Sequence, residues 1–192
     1  PILSNVLIEV DEQGLILTGT DTEIELKSSL SIVSCELAGK LTLPAKKLID
    51  IFRSLNDGSI INFSSKDDRV IVSSGRSRFV LMALSADDYP TTSDEPPILE
   101  FKIETKSLID LLQVTHFAMA QQDVRYYLNG LLLDIYGATM CSVCTDGHRL
   151  SVAKITLDSS IIDSKMILPR KAILEVLRLI GEVSDEYVLI QQ

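Results

Sequence analysis

The segment Thr145–Leu150 reads Thr-Asp-Gly-His-Arg-Leu and places a carboxylate, an imidazole and a guanidinium beside a glycine. Asp146 and His148 have the residue types of a general-base pair or of metal ligands. An internal repeat aligns them with Asp21 and Glu23, so only the aspartate recurs. An aspartate that hydrogen-bonds the backbone of its own turn explains this recurrence better than catalysis does. We therefore predict a turn, and a hydrolase that uses Asp146 and His148 is the least favoured function.

Cys141 and Cys144 have the CxxC spacing of redox and zinc sites. The chain has only three cysteines and two histidines, and no second pair accompanies this one. On a strand, residues three apart point to opposite faces of the sheet. We predict that both thiols pack inside the fold, in a reducing compartment, and that the protein uses no metal and no cofactor.

The segment Gln121–Gly130 contains two adjacent tyrosines, Tyr126 and Tyr127, together with Arg125 and two glutamines. Aromatic rings with neighbouring polar side chains suit the stacking of bases and the binding of a nucleic-acid backbone. The same residues also suit the start of a strand whose tyrosines pack on a sheet. The residues alone leave both interpretations open.

The chain repeats itself at an offset of 125 residues. Thr20-Asp21 aligns with Thr145-Asp146, and Leu43-Pro44 aligns with Leu168-Pro169. Neither copy is complete, because each lacks a stretch that the other contains. We predict that the chain is part of a longer repeat protein.

Hydrophobic periodicity predicts strands and three helices, each helix following a short strand and a turn. Two of the helices begin at or next to a proline, where the missing N–H costs nothing. The acidic, proline-rich segment Ala86–Pro97 is the predicted boundary between domains at 1–97 and 98–192. The predicted helices are 44–56, 104–118 and 169–180; the predicted turns are Asp11–Gly14, Asn56–Gly58 and Tyr136–Ala138; the predicted strands are Val6–Val10, Leu15–Thr18, Ile24–Val33, Ile60–Phe63, Val70–Val72, Arg78–Leu84, Leu128–Ile135, Met140–Val143, Leu150–Ile155, Met166–Leu168 and Tyr187–Ile190.

Charge is distributed unevenly along the chain. The net charge is −9, which argues against a uniformly basic nucleic-acid-binding protein, and 46% hydrophobic residues are typical of a soluble globular one. Helices 44–56 and 169–180 nevertheless each carry three bases against one acid. A lysine near a helix N-terminus opposes the helix dipole, so its recurrence at Lys46 and Lys171 suggests a phosphate-bearing partner. Ordinary solvation of the helix is the alternative.

Four motifs together resemble one known family. They are Gln-Asp-Val-Arg-Tyr-Tyr-Leu-Asn-Gly at 122–130, Thr-Asp-Gly-His-Arg-Leu at 145–150, Ser-Gly-Arg-Ser-Arg-Phe at 74–79, and the Leu-Pro-x-Lys starts of two helices. The family that they resemble is the bacterial sliding clamp, the β subunit of DNA polymerase III. The resemblance implies an α+β fold, the DNA clamp fold, built from repeated β-α-β-β-β units with helices on one face of antiparallel sheets.

The resemblance also implies an assembly and a function. Family members carry three similar domains per subunit and close head to tail into a dimeric ring around duplex DNA. This chain would hold the first domain at 1–97, without its opening strand and helix, and an incomplete second domain at 98–192; the third domain would be absent. The implied function is that of a non-enzymatic, cytoplasmic processivity factor. It would tether the polymerase III α subunit, the clamp loader and other proteins with clamp-binding motifs to DNA, and it would have no contact with a membrane.

Three sets of site residues follow from the resemblance. The residues expected to contact DNA are Gln122, Arg125, Tyr126, Tyr127, Lys46, Arg53, Lys171 and Arg178. Those expected to form part of a pocket for partner peptides are Arg125, Tyr127, Leu128, Thr145, Gly147, His148, Arg149 and Leu150. Those expected at the dimer interface are Lys47, Phe79 and Leu81. A peptide-docking adaptor without DNA encirclement, using an apolar cleft near Leu128 and Leu150, is the alternative function.

Overall fold

Residues 2–92 and 96–192 are described by the structure, which is a computed structural model. The chain divides into unit 1, Pro1–Ser93, and unit 2, Asp94–Gln192. Each unit contains its own cluster of buried apolar side chains. The division falls within the predicted boundary segment Ala86–Pro97, of which residues 93–95 lie outside the described residues.

In its described residues, unit 1 places one α-helix against two antiparallel sheets. The first sheet has the strand order β3-β2-β1-β4, and the second has the order β5-β6-β7. Alternating burial along the strands, as in β6 with its inward Val70 and Val72, explains why this sequence forms half-buried sheets. The elements are β1 (Asn5–Val10), β2 (Leu15–Thr20), β3 (Glu25–Leu30), β4 (Gly39–Pro44), α1 (Ala45–Arg53), β5 (Asn62–Lys66), β6 (Arg69–Ser74) and β7 (Ser77–Met82).

Helix α1 is shorter than the predicted helix 44–56. It begins directly after Pro44 and ends at Arg53, where the Ser54 hydroxyl donates a hydrogen bond to the Ile51 carbonyl oxygen at 2.6 Å. Its apolar face buries Leu48 and Ile51 against the sheets. Ile49, next to Leu48 in sequence, is 47% exposed.

Part of the predicted boundary segment is anchored to unit 1. The Tyr89 side chain is buried, and its hydroxyl lies 3.2 Å from the Asn5 carbonyl oxygen and 3.1 Å from that of Thr18. Thr92 donates from its backbone N–H and its hydroxyl to the Glu25 carboxylate, at 3.1 and 2.8 Å. Residues 89–92 are therefore bound to unit 1 and are not a free linker, although the segment is rich in proline and acidic residues.

The described residues of unit 2 form two antiparallel strand pairs and two α-helices. Strand β8 pairs with β11, and β9 pairs with β10. The core gathers side chains from every one of these elements, with Leu111, Leu131 and Ile135 fully buried. The elements are β8 (Glu100–Glu104), α2 (Thr105–Gln113), β9 (Gly130–Thr145), β10 (Leu150–Pro169), α3 (Arg170–Glu182) and β11 (Tyr187–Gln191).

The internal repeat is visible in strand register. Asn5 lies opposite Pro44 in unit 1, and Gly130 lies opposite Pro169 in unit 2, at the same offset of 125. Each of the three helices α1, α2 and α3 follows a strand, as predicted, and the sheets are antiparallel, so the α+β class is confirmed. The predicted turn Tyr136–Ala138 falls inside β9, where Gly137 has a left-handed φ of 56°.

The predicted helix 104–118 is wrong in its last turn. Helix α2 ends at Gln113, and a short 3-10 helix follows at His116–Ala118. Thr115 is fully buried between them, and its hydroxyl lies 2.7 Å from the Ser142 hydroxyl of β9 as well as 3.0 Å from the Leu111 carbonyl oxygen. This tertiary contact fixes the chain in a tighter turn, which the helical periodicity does not indicate.

Within the described ranges, no helix is long and apolar enough to cross a membrane.

Candidate functional site

The loop between α2 and β9 is closed by one asparagine. Asn129 accepts the Asp123 N–H at 2.9 Å through its side-chain oxygen and donates its amide N–H to the Asp123 carbonyl oxygen at 2.8 Å. The Leu128 carbonyl oxygen accepts the N–H of Ala120 at 3.0 Å, which ties the two ends of the loop together. Gln122, in the middle of the loop, has a left-handed φ of 55°. The loop is thus fixed by its own polar groups.

Two tyrosines are displayed at the tip of this loop. Tyr126 and Tyr127 lie in a 3-10 helix, Tyr126–Asn129, and the strand predicted from Leu128 begins only at Gly130. Their side chains are 82% and 50% exposed, and the rings meet edge to face at 5.9 Å between centroids. The interpretation in which both tyrosines pack on a sheet is therefore wrong. Exposed rings held by a fixed loop can stack on a planar partner.

Arg125 is held between this loop and the turn at Gly147. Asp123 accepts the Arg125 backbone N–H and Nε–H through Oδ1, at 2.8 and 3.0 Å, and Nη2–H through Oδ2 at 2.9 Å. These hydrogen bonds lower the pKa of Asp123 to about 2. A Cβ atom on Gly147 would lie 3.2 Å from Arg125 Nη2, so the guanidinium lies against that glycine.

The turn that carries Asp146 has the same hydrogen bonds as its copy in unit 1. Asp146 Oδ1 accepts the N–H groups of His148 and Arg149 at 2.9 and 3.0 Å, and Asp21 Oδ1 accepts those of Glu23 and Ile24 at 3.1 and 3.0 Å. The hydrogen bonds from the backbone N–H groups of His148 and Arg149 lower the pKa of Asp146. The prediction of a turn is confirmed. The Asp146 carboxylate already accepts hydrogen bonds from the backbone of this turn.

A polar cleft of about 410 Å³ lies beside this turn. Arg149 crosses it, donating from Nε to Asp146 Oδ2 at 3.0 Å and from Nη2 to the Phe117 carbonyl oxygen at 2.9 Å. The guanidinium carbon also lies 5.6 Å from the Phe117 ring centre, in cation–π contact. The lining residues are Phe117, Met119, Ala120, Gln121, Asp123, Asp146, His148, Arg149 and Arg170.

The structure brings together only some of the predicted pocket residues. His148 and Arg149 line the cleft, and Arg125 contacts Gly147 beside it. Leu128 is buried, whereas Leu150 is 65% exposed on the first residue of β10. Thr145 uses its hydroxyl within the turn, donating to the Arg149 carbonyl oxygen at 2.7 Å. Tyr127 belongs to the exposed tip of the loop.

Most lining residues of the cleft, Phe117 and Arg170 among them, were not in the predicted site sets. Phe117 was assigned to a continuous helix, although it lies in the 3-10 helix after α2. Arg170 was counted among the bases of a helix face, but its guanidinium lies 3.4 Å from the Met119 carbonyl oxygen at the cleft. The sequence signal that could have indicated a separate role for Arg170 was its position immediately after Pro169, at the first turn of α3.

The basic helices differ in how their charges are paired. Lys46 and Arg53 are exposed on α1, and neither forms an ion pair with any of residues 2–92 or 96–192. On α3, Lys171 is exposed, and Arg178 donates from Nε to Glu175 at 2.9 Å and from Nη1 to Glu182 at 3.4 Å. The two carboxylates raise the pKa of Arg178.

The three predicted interface residues lie at different depths in unit 1. Lys47 is exposed on α1, and Phe79 is half-buried on β7. Leu81 is only 6% exposed and packs in the core of unit 1, so its side chain has little surface to offer a partner. In the described part of the chain, β7 is an edge strand, and its neighbours Val80 and Met82 are exposed.

The two cysteines of the CxxC segment are free and buried, as predicted. Burial raises the pKa of Cys144 to about 11, which leaves its thiol protonated and poorly nucleophilic at neutral pH. Across residues 2–92 and 96–192, no three His, Cys, Asp or Glu side chains converge in a way that could hold a metal ion.

Replacing Gly147 with alanine is expected to lower the free energy of unfolding by about 1–2 kcal/mol, because a left-handed backbone is strained for an L-residue. Gly147 has a φ of 87°, and the new methyl group would also press on Arg125. Thr22 adopts a φ of 75° at the equivalent position, so the turn itself should survive. Urea unfolding measures the loss, and Gly19→Ala, which meets no atom within 4 Å, is the control. Equal stability of the two variants would contradict the expectation.

Both units match models of one protein family. Residues 1–93 match the family described as DNA polymerase III beta subunit, N-terminal domain, and residues 102–191 match its central domain. The chain belongs to the DNA polymerase III β subunit family. The order of the two matched domains is the order of the two units in the structure.

Relatives from several bacteria agree with this membership. The beta sliding clamp of Pseudomonas aeruginosa is 46% identical over 97% of this chain and 51% of its own length, and that of Escherichia coli is 41% identical over 94% and 49%. The crystal structure of DNA polymerase III subunit beta from Pseudomonas aeruginosa is similar with a TM-score of 0.93 and 44% identity, covering 99% of this chain and 52% of that one. Another from the same organism, bound to griselimycin, has a TM-score of 0.91 at 45% identity, covering 100% and 52%.

These similarities confirm the predicted clamp fold. The chain spans about half the length of the curated relatives it matches.

Proposed function

We propose that this chain is part of a sliding clamp, a non-catalytic processivity factor that encircles duplex DNA and holds the replicative polymerase on it. The observation that carries the proposal is the match of both units, in order, to the N-terminal and central domains of the β subunit family. The charge pattern supports it. A chain of net charge −9 exposes Lys46 and Arg53 on one helix and Lys171 and Arg178 on another.

In this proposal, each individual contact between the clamp and DNA is weak. Exposed lysines and arginines bind phosphates without reading sequence, and salt weakens such contacts. Retention would come from the closed ring, which cannot leave the duplex sideways. Tyr126 and Tyr127 would add stacking or phosphate contacts from their loop, with Gln122 and Arg125 beside them.

The proposed partners dock through short peptides. The site would lie around the turn Thr145–Leu150, where Arg125, Gly147 and His148 are close together. It would be completed by residues of the longer protein. The partners that we propose are the polymerase III α subunit, the clamp loader and other proteins with clamp-binding motifs, in the cytoplasm.

The proposed homodimer would use the free edge of β7. Cross-strand register places Arg69 opposite Met82 and Ser73 opposite Arg78, so the exposed face of this sheet edge combines bases with apolar side chains. Edge strands carry unpaired backbone groups that a second chain can bind. Lys47 and the half-buried Phe79 would lie at the margin of such an interface, and Leu81 would support it from the core.

The test is retention on closed DNA. A protein of the relatives' length that contains this chain is loaded on a nicked circular plasmid and separated by gel filtration, before and after the plasmid is cut once. A clamp stays on the circle in about 150 mM salt and leaves after the cut, because enclosure and not affinity holds it. Equal retention on circular and linear DNA would contradict the proposal.

A peptide-docking adaptor without encirclement is the second candidate. The cleft beside Arg149 supports it, but this cleft is polar and is lined by neither Leu128 nor Leu150, in contrast to the apolar cleft that the sequence predicted. If the protein is such an adaptor, it should be retained on neither the circular nor the linear plasmid and should still bind the peptide. Fluorescence anisotropy with a labelled clamp-binding peptide, competed by griselimycin, measures that binding.

A further inference from the structure

Two arginines proposed to meet DNA are already engaged by carboxylates of the same chain. The Asp123 carboxylate accepts hydrogen bonds from Nε–H and Nη2–H of Arg125, at 3.0 and 2.9 Å. Glu175 accepts one from Nε–H of Arg178 at 2.9 Å, and Glu182 accepts one from its Nη1–H at 3.4 Å. In both cases two N–H groups of the guanidinium are occupied.

A phosphate would compete with these carboxylates for the same guanidinium, of whose five N–H groups two are taken. The planar guanidinium presents its donors in a fork that fits carboxylates and phosphates equally well. A phosphate that binds Arg178 through the engaged N–H groups must therefore displace Glu175 or Glu182. The displaced carboxylate would remain beside the phosphate and repel it, so the net gain from the contact is small.

These pairs are exposed, so they can exchange. Arg125 and Arg178 each keep about half of their side-chain surface open to solvent. Exposed ion pairs are weak and are screened by salt. Lys46 and Arg53 have no such competitor among residues 2–92 and 96–192. The cations proposed to meet DNA thus fall into a paired group and an unpaired group.

We propose that Asp123, Glu175 and Glu182 tune the DNA affinity of the clamp by competing with phosphate for Arg125 and Arg178. They keep these contacts short-lived, which favours sliding over fixed binding. This inference rests on the proposed function, because it requires both arginines to face DNA.

The first experiment removes the competitors. The chain itself is titrated with a fluorescein-labelled duplex over about 50–200 mM salt. Asp123→Asn and the double variant Glu175→Gln/Glu182→Gln are compared with Asp110→Asn, an exposed acid of α2 that forms no ion pair within the described chain. The competitor variants should bind about 3- to 10-fold more tightly at the lowest salt, and Asp110→Asn less than about 2-fold. Each freed arginine should steepen the slope of log K against log salt by up to about 0.9.

The second experiment is a double-mutant cycle between Arg178 and the two glutamates. A merely structural role of the glutamates would not produce the expected coupling. Arg178→Ala should change affinity less than about 2-fold in the wild-type background, because the arginine is already neutralised. In the Glu175→Gln/Glu182→Gln background the same change should abolish the whole gain. Circular dichroism confirms that the variants are folded.

The results distinguish failure of the tuning role from failure of the proposed clamp function. If the competitor variants behave like Asp110→Asn while the wild-type chain binds DNA, the tuning role is wrong and the clamp function stands. Weaker binding by Asp123→Asn would show that Asp123 positions Arg125 and does not compete for it, which also overturns the inference. Absence of DNA binding by every variant at every salt overturns both the inference and the DNA-contacting role on which it depends.

Discussion

Replacing Leu111 with alanine is expected to lower the free energy of unfolding of unit 2 by about 2–5 kcal/mol. Leu111 is fully buried on α2, in the cluster that joins the helices to β9 and β10. Removing three carbon atoms loses their transfer free energy and leaves a cavity that the close-packed neighbours fill only in part. The residue also accepts the Thr115 hydroxyl through its carbonyl oxygen, so any relaxation of the helix would disturb the turn that follows.

Urea unfolding followed by the amide signals of unit 2 measures this loss. Leu150→Ala is the matched control, because the same atoms are removed from a side chain that is largely exposed. The control should cost less than about 0.5 kcal/mol. Similar losses for the two variants would mean that the assigned core of unit 2 is incorrect.

Replacing Gly130 with valine is expected to be the second most damaging change, at about 1–3 kcal/mol or more. A Cβ atom at this position would lie 2.6 Å from the Leu168 carbonyl oxygen and 2.8 Å from Ile167 Cγ2. Real Cβ atoms do not approach backbone this closely, so β9 and β10 would have to separate where Gly130 faces Pro169. Gly130 directly follows the loop that displays Tyr126 and Tyr127, so the strain should also move the two rings.

Thermal unfolding measures the stability of the Gly130→Val variant, and the tyrosine ring signals report the loop. Gly39→Val is the control, since Gly39 also opens a segment of strand but a Cβ there meets no atom within 4 Å. We expect that control to be neutral or stabilising, because it restricts the unfolded chain. A Gly130 variant as stable as the Gly39 variant would refute the steric argument.

Much of the fold followed from the repeat and from local patterns. The recurrence of Thr-Asp at 20 and 145 predicted a turn, and both copies form the same side-chain hydrogen bonds. The predicted helix 44–56 is confirmed over Ala45–Arg53, where Leu48 and Ile51 are buried at helical spacing. Such features depend on residues close in sequence, so one chain is enough to infer them.

The parts that were missed depend on residues distant in sequence. Helix α2 ends early because buried Thr115 meets Ser142 of β9, a partner that no periodicity reveals. Burial is one such feature: Leu81, which stays a predicted interface residue by resemblance, packs in the core of unit 1. Arg178 was counted as one of three bases against one acid on its helix. Its pairing with Glu175 could have been inferred from the i, i+3 spacing, whereas Glu182 lay beyond the predicted end of the helix.

The pairing of β8 with β11 sets an order for the assembly of unit 2. Thr145 and Leu150 meet across a short turn, so their contact closes a small loop of chain. Glu100 and Gln191, at opposite ends of the unit, meet only when almost all of the chain between them has been brought together. Loop closure costs more entropy as the loop grows, and distant contacts slow folding. The β9–β10 turn is therefore expected to form early, and the joining of the first and last strands of unit 2 should be the step that completes it.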